Sequence, residues 1–195
     1  MFHDINKIRE DYVYSLFIQK QNLLLDWDRK SGKSNYSVTC ILDYAINHPN
    51  THNLVVGHST SSSNNLLHKT VFCNHKRLLG IVKKTNQGKI VLYNESVIYY
   101  GSESARGVDT FNTLLLDEIT EFDNRNYVEN LILYNQKNKI LMNCTNYDTV
   151  MFCHIRDIFN NNNLPIHKDY SKSDEEVLSY LRNKKIQKIK NTISP

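Results

Sequence analysis

Two short stretches hold residue types that could do chemistry together. One is Asp26-Trp27-Asp28-Arg29-Lys30-Ser31-Gly32-Lys33-Ser34; the other, further down the chain, is Leu114-Leu115-Leu116-Asp117-Glu118. Gly-Lys-Ser at the start of a helix is built to receive phosphate. The N–H groups there point outward and the helix dipole favours an anion. Lys33 would reach the β- and γ-phosphates, and the Ser34 hydroxyl would bind Mg²⁺. An Asp at the end of a buried strand, here Asp117, would hold the water shell of the metal. Glu118 beside it would polarise the attacking water. Arg29 lies inside the loop, where a guanidinium can neutralise γ-phosphate charge from within the same subunit. Thr145 ends another strand, a position from which a hydroxyl can sense phosphate and relay its loss.

These residues make ATP and Mg²⁺ the expected cofactors. Lys30, Ser31, Gly32, Lys33, Ser34 and Thr145 are the nucleotide-binding set, and Ser34 and Asp117 are the metal positions. Glu118, Arg29 and Lys33 are the catalytic groups. Each motif alone arises by chance, as a strand-to-helix turn with an exposed lysine or as an apolar run that happens to end in Asp-Glu. Together they specify a nucleotide-binding fold. The loop is a variant, because Trp27 stands where G-x-x-x-x-G-K-[ST] has its first Gly.

The elements that must position these residues follow from periodicity. Asn22 to Leu25 is a short apolar run suited to a buried strand, and Val38, Ile41, Leu42, Ala45 and Ile46 recur at helical spacing until His48-Pro49. Before them, Ile5, Ile8, Tyr12, Leu16 and Phe17 predict a helix. It either packs on the sheet edge or covers an adenine face with Tyr12, Tyr14 or Gln19. Leu54 to Gly57 is a second strand, and Asn64 to about Val82 a further helix with a basic face (Lys69, Lys76, Arg77, Lys83, Lys84). Ile90–Tyr93 and Val97–Tyr100 predict a hairpin closed by a three-residue loop. Strands at Thr113–Glu118 and Lys139–Asn143 alternate with helices near Asn124–Tyr134 and Val150–Phe159. A last helix, capped by Ser173, runs to Lys190 with acids first and lysines last. The order predicts an α/β fold with a mostly parallel sheet covered on both faces.

Bulk composition agrees. The chain has 195 residues, 40% hydrophobic and 23% charged, as an ordinary globule has. A net charge of +4 permits nucleic-acid contact without requiring it. Cys40, Cys73, Cys144 and Cys153 form no C-x-x-C pair and read as buried free thiols. His68, Cys73 and His75 lack the second ligand pair of a zinc site. Charged residues interrupt the first twenty positions, so no signal peptide is expected, and no apolar run spans a bilayer. The expected location is the cytoplasm.

At this point the motifs resemble a known family. Arg29-Lys30-Ser31-Gly32-Lys33-Ser34 resembles the phosphate loop of viral terminases, commonly Arg-Gln-x-Gly-Lys-Ser/Thr. The order that follows is similar to the ATPase half of a terminase large subunit. It runs from Leu54–Ser63 through Asn94-Glu95-Ser96-Val97-Ile98 and Arg106-Gly107 to Leu114–Glu118. Asn143-Cys144-Thr145 falls at the family's coupling motif. The resemblance covers about residues 5 to 160. It implies a three-layer P-loop NTPase of the additional-glutamate type, with the Lys139–Asn143 strand between the phosphate-loop and Asp-Glu strands and a β-hairpin insertion. Lys33 and Ser34 would bind phosphate and Mg²⁺, Asp117 would bind Mg²⁺, and Glu118 would be the catalytic carboxylate. Arg29 would be the in-loop arginine and Thr145 the coupling residue.

The resemblance further implies an ATP-driven motor moving double-stranded DNA into a capsid. Its expected partners are a portal protein and a small terminase subunit or separate nuclease chain, and its active form a homo-oligomeric ring off the membrane. Lys30 replaces the frequent Gln, Trp27 replaces Gly, and Cys144-Thr145 replaces a Ser/Thr pair. The residues after Phe159 are too few for the RNase H-type nuclease of that family, and Asp169, Asp174, Glu175 and Glu176 read as surface and capping groups. No DNA cleavage is therefore expected of this chain. The expected organisation is an ATPase domain at 1–170 and a helical basic tail at 171–195. The alternatives are a helicase-like translocase and a nucleotide-binding assembly or regulatory protein that does not hydrolyse.

Overall fold

The computed structural model describes residues 5–59, 61–66, 78–86, 88–102, 109–145, 149–170 and 172–193. Its strands are β1 (Asn22–Asp26), β2 (His52–Gly57), β3 (Val82–Asn86), β4 (Lys89–Leu92), β5 (Val97–Ser102), β6 (Thr113–Asp117), β7 (Lys139–Cys144) and β8 (His167–Tyr170). Besides a helical segment at residues 61–66 and a 3-10 turn at Ile119–Glu121, the helices are α1 (Ile5–Gln19), α2 (Lys33–Asn47), α3 (Arg125–Tyr134), α4 (Val150–Asn161) and α5 (Asp174–Ile193). One sheet holds all the strands in the order β3-β4-β5-β2-β6-β7-β1-β8. From β5 to β8 every pairing is parallel, and β4 and β3 extend the β5 edge antiparallel. As expected, β7 lies between the phosphate-loop strand and the Asp-Glu strand.

Alternation along each strand divides the core between two faces. Leu23, Leu25, Val55, Leu115 and Leu141 face α1, α2 and the start of α5, with Val13, Phe17, Ile41 and Val177 fully enclosed. Leu24, Leu54, Val56, Leu114, Leu116 and Met142 face α3 and α4, where Val128, Leu131, Ile155 and Phe159 meet them. Strands buried on both faces have no polar side to show, which is why they read as unbroken apolar runs. Lys139 opens β7 and donates to the carbonyls of Phe17, Ile18 and Lys20 at 2.9, 2.9 and 3.2 Å. It thereby satisfies the exposed end of α1 and fixes the turn into β1.

Several local expectations change. The helix after β2 starts earlier, at residues 61–66, and Val82 to Lys84 belong to β3, an edge strand with Lys83 and Lys84 exposed. The β4–β5 hairpin turns over four residues, 93–96, since Tyr93 leaves the ladder. Strand β8 was not expected. α1 packs on the sheet: Tyr12 is enclosed beside Asp169, while Tyr14 and Gln19 bond to Asn47 and Tyr180. Ser173 and Glu176 cap α5 reciprocally, Ser173 N–H donating to Glu176 Oε2 at 2.8 Å and Glu176 N–H to Ser173 Oγ at 3.3 Å. His68, Cys73, His75, Arg106 and Gly107 lie outside the described residues, as do Lys69, Lys76 and Arg77. Among the described residues no helix is long and apolar enough to cross a membrane.

Candidate functional site

The C-terminal ends of β1, β7, β6 and β2 form one edge, because Asp26 pairs with Cys144 and Gly57 with Asp117 in parallel register. In open parallel sheets this is the edge that binds ligands. The loop after β1 reaches α2 through Lys30 at φ 67° and Gly32 at φ 85°. Gly32 is required twice over. A Cβ there would sit 3.1 Å from the Tyr36 ring, and the left-handed backbone disfavours any side chain. Its carbonyl accepts from the N–H of Asn35 and Tyr36, starting the helix. Ser31 Oγ is buried beside this turn with no hydrogen-bond partner among the described residues, which suits a ligand oxygen.

Lys33 is nearly enclosed, yet its ammonium is not stranded. It donates to Thr145 Oγ1 at 2.7 Å and lies 3.3 Å from Glu118 Oε1. Thr145 in turn donates to Glu118 Oε2 at 2.8 Å, closing a triangle of three elements. Glu118 is aimed there by its own backbone, left-handed at φ 55° directly after β6. Such strain in a residue with a side chain costs about 1–3 kcal/mol and concentrates at functional sites. Asp117 is buried beneath. Burial raises its pKa, and hydrogen bonds from Asn143 and Ser34 oppose that rise. Ser34 and Asp117 thus touch. A hydroxyl and a carboxylate with room for water are hard oxygen donors of the kind Mg²⁺ takes. The room is a cleft of about 290 Å³ lined by Ser34, Asp117, His58, Ser59, Ser61 and Ser62.

The loop's departure at Trp27 has a physical reason. The indole is buried, packs edge-on to Tyr36 with ring centres 6.0 Å apart, and donates to Asp169 Oδ2 at 3.0 Å. Asp169 is therefore no surface group. It is 2% exposed on β8 and also accepts from Tyr12 OH and Lys172 Nζ, both at 2.6 Å on Oδ1. A glycine would leave this anchorage empty. Arg29 and Lys30 are exposed at the tip, and Arg29 pairs with no carboxylate among the described residues. Asp26, whose pKa burial raises, accepts instead from the Cys144 thiol at 3.7 Å. The sequence reading places Asn143 only within the coupling motif, takes Asp169 for a surface group and gives Ser37 no role. The signal for Asn143 is a polar side chain inside the apolar strand Ile140-Leu141-Met142-Asn143-Cys144.

No protein-family model and no curated protein matches the sequence. Solved structures do match its fold. The large terminase of bacteriophage HK97 aligns with a TM-score of 0.64 at 16% identity over 82% of this chain and 37% of that one. The ADP complex of the large terminase from a thermophilic bacteriophage gives 0.64 at 13% identity over 89% and 46%. This chain thus spans less than half the length of these two proteins. The ATPase domain of the Thermus phage P74-26 large terminase gives 0.53 at 11% over 90% and 84%. A Pyrococcus furiosus helicase domain, Hef, gives 0.52 at 11% over 85% of this chain and 38% of that one. With Lys33, Asp117, Glu118 and Thr145 gathered at the ends of α2, β6 and β7, the chain has the three-layer P-loop fold of phage large-terminase ATPase domains.

Proposed function

We propose that this chain is a Mg²⁺-dependent ATPase, the motor domain of a DNA-packaging terminase, translocating double-stranded DNA into a capsid. The observation that carries the reading is the Lys33–Thr145–Glu118 triangle beside the Ser34–Asp117 contact. It supports reading Lys33 as the phosphate-binding cation, Ser34 and Asp117 as the metal position, Glu118 as the general base and Thr145 as the sensing hydroxyl. Bound ATP and its cation would supply the phosphoanhydride and spread the charge of its γ-phosphate. Lys33 would leave Glu118 and Thr145 for the β- and γ-phosphates, because phosphate oxygens offer it more charge. Glu118, released, would orient and deprotonate the attacking water. Thr145, having lost Lys33 as a partner, would turn with the phosphate and pass its departure into β7. Arg29, at the loop tip, would fold over the γ-phosphate. Lys30, Ser31 and Gly32 would present the loop's backbone to the phosphates.

The proposal keeps residues 1–170 as the ATPase unit and 171–195 as a helical basic tail. It extends to a ring of copies acting with a portal, a small subunit or separate nuclease chain, in the cytoplasm of an infected cell. A helicase-like translocase is the second reading, favoured by the Hef likeness.

ATP hydrolysis measured with and without duplex DNA tests the motor reading, and stimulation by single strands alone would favour the helicase. Lys33→Ala should abolish tight nucleotide binding. Glu118→Gln should keep binding and lose turnover, since the amide retains shape without basicity. Parental turnover in Glu118→Gln would overturn the site assignment.

A further inference from the structure

A buried polar chain lies beneath the metal position. Ser37 on α2 donates from Oγ to Asn143 Oδ1 at 2.8 Å, and Asn143 on β7 donates from Nδ2 to Asp117 Oδ1 at 2.6 Å. Ser37 and Asn143 are fully enclosed and Asp117 is 3% exposed, so solvent cannot stand in for any member. An amide has one accepting end and one donating end, and both are used here. Turned over, Asn143 would set its oxygen against a carboxylate oxygen. The carboxylate therefore selects the orientation of the amide, and the Ser37 hydroxyl, donating to Oδ1, holds Asn143 in it. With Oδ1 so engaged, the carboxylate can rotate only by breaking the contact, and its remaining lone pairs face Ser34 and the cleft.

An apolar side chain of similar volume would fill the strand without the cost of desolvating an amide. What the amide adds is the hold on Asp117. Thr145 follows directly after the end of β7, where its hydroxyl meets Lys33 and Glu118. Movement of this strand end would therefore shift the sensing hydroxyl and the support of Asp117 together.

We infer that Asn143 is the positioning residue for Asp117, fixing its carboxylate to receive a divalent cation bound with nucleotide phosphates, and that Ser37 fixes Asn143. This rests on the ATPase reading above. The test is ATPγS binding to the full chain, titrated against Mg²⁺, with Mn²⁺ binding followed by electron paramagnetic resonance. Asn143→Leu should raise the Mg²⁺ needed for half-maximal binding by about 10- to 100-fold and weaken Mn²⁺ binding alike. Metal-free ATPγS affinity should stay within about twofold, because Lys33 and the loop are untouched. A merely structural role would lower ATPγS affinity equally at every Mg²⁺ concentration. An unchanged Mg²⁺ requirement in folded Asn143→Leu overturns the inference and leaves the ATPase reading standing. Should that variant not fold, Ser37→Ala decides: a rise of about threefold or more supports the inference, and no rise overturns it. Wild-type ATPγS binding indifferent to Mg²⁺ would overturn both.

Discussion

Replacing Asp169 by Ala should loosen the phosphate loop from a distance. The carboxylate accepts three donors: Trp27 Nε1 at 3.0 Å and Tyr12 OH and Lys172 Nζ at 2.6 Å. Lys172 is partly exposed and can turn to water, so little is charged to it. Trp27 and Tyr12 are each 1% exposed and cannot. Burial, reinforced by Asp169, already raises the Tyr12 pKa, so the phenol stays a neutral donor. A buried donor left without its acceptor costs about 1–3 kcal/mol, and two such donors give roughly 2–6. A central figure of about 4 kcal/mol is a large share of the roughly 5–15 kcal/mol that holds a domain together. Asp169→Asn keeps one accepting oxygen and should lose less, though still more than about 1 kcal/mol.

Trp27 is the only tryptophan in the chain and sits in the loop itself. Urea unfolding followed by its fluorescence therefore reports global stability and the local environment in one experiment. Asp169→Ala should shift the midpoint down and move native emission to longer wavelength as water reaches the indole. It should also weaken ATPγS binding, because Trp27 packs on Tyr36 and Tyr36 lies under Gly32. A loss below about 1 kcal/mol with native emission unchanged would refute the buttress.

Arg29→Ala should lose far more turnover than nucleotide affinity. An arginine on the transferring phosphoryl group is worth roughly 10³–10⁵ in rate, and Arg29→Lys should be impaired too for want of the planar fork. Single-turnover hydrolysis beside a binding titration checks both, and unchanged turnover in Arg29→Ala would sink the in-loop arginine. Stability should also fall in alkali. Burial and the neighbouring Asp26 carry the Cys144 thiol from 9.0 up to about 12, so between those values the native state holds a proton the unfolded chain has released. The slope is then negative, about 1.4 kcal/mol per pH unit for such a group. Urea midpoints measured below pH 9 and again above it should fall less in Cys144→Ala than in the parent. Equal falls would refute the assignment.

The sequence alone determined the parts whose signals are local. Gly-Lys-Ser after an apolar run, and Asp-Glu ending another, required two strands with their C-terminal ends at one edge. Local chemistry sufficed because helix N-termini bind phosphate wherever they occur, and a strand buried on both faces must be apolar throughout. Ser173 and Glu176 were legible as a cap for the same reason. Tertiary structure decided what depends on pairing distant segments. β8 was invisible because His167-Lys168-Asp169-Tyr170 has no apolar pattern, and only lying beside β1 makes it a strand. β3 was hidden likewise, as an exposed edge strand needs no apolar face and carries lysines that discourage further pairing. Asp169 read as a surface acid because its partners, Trp27 and Tyr12, are more than a hundred residues away in sequence. Trp27, a departure from the loop pattern on paper, became an anchor once the fold placed a carboxylate against it. Asn143 drew its meaning from Ser37 and Asp117, on two other elements, since a buried amide is explained only by whatever satisfies both of its ends.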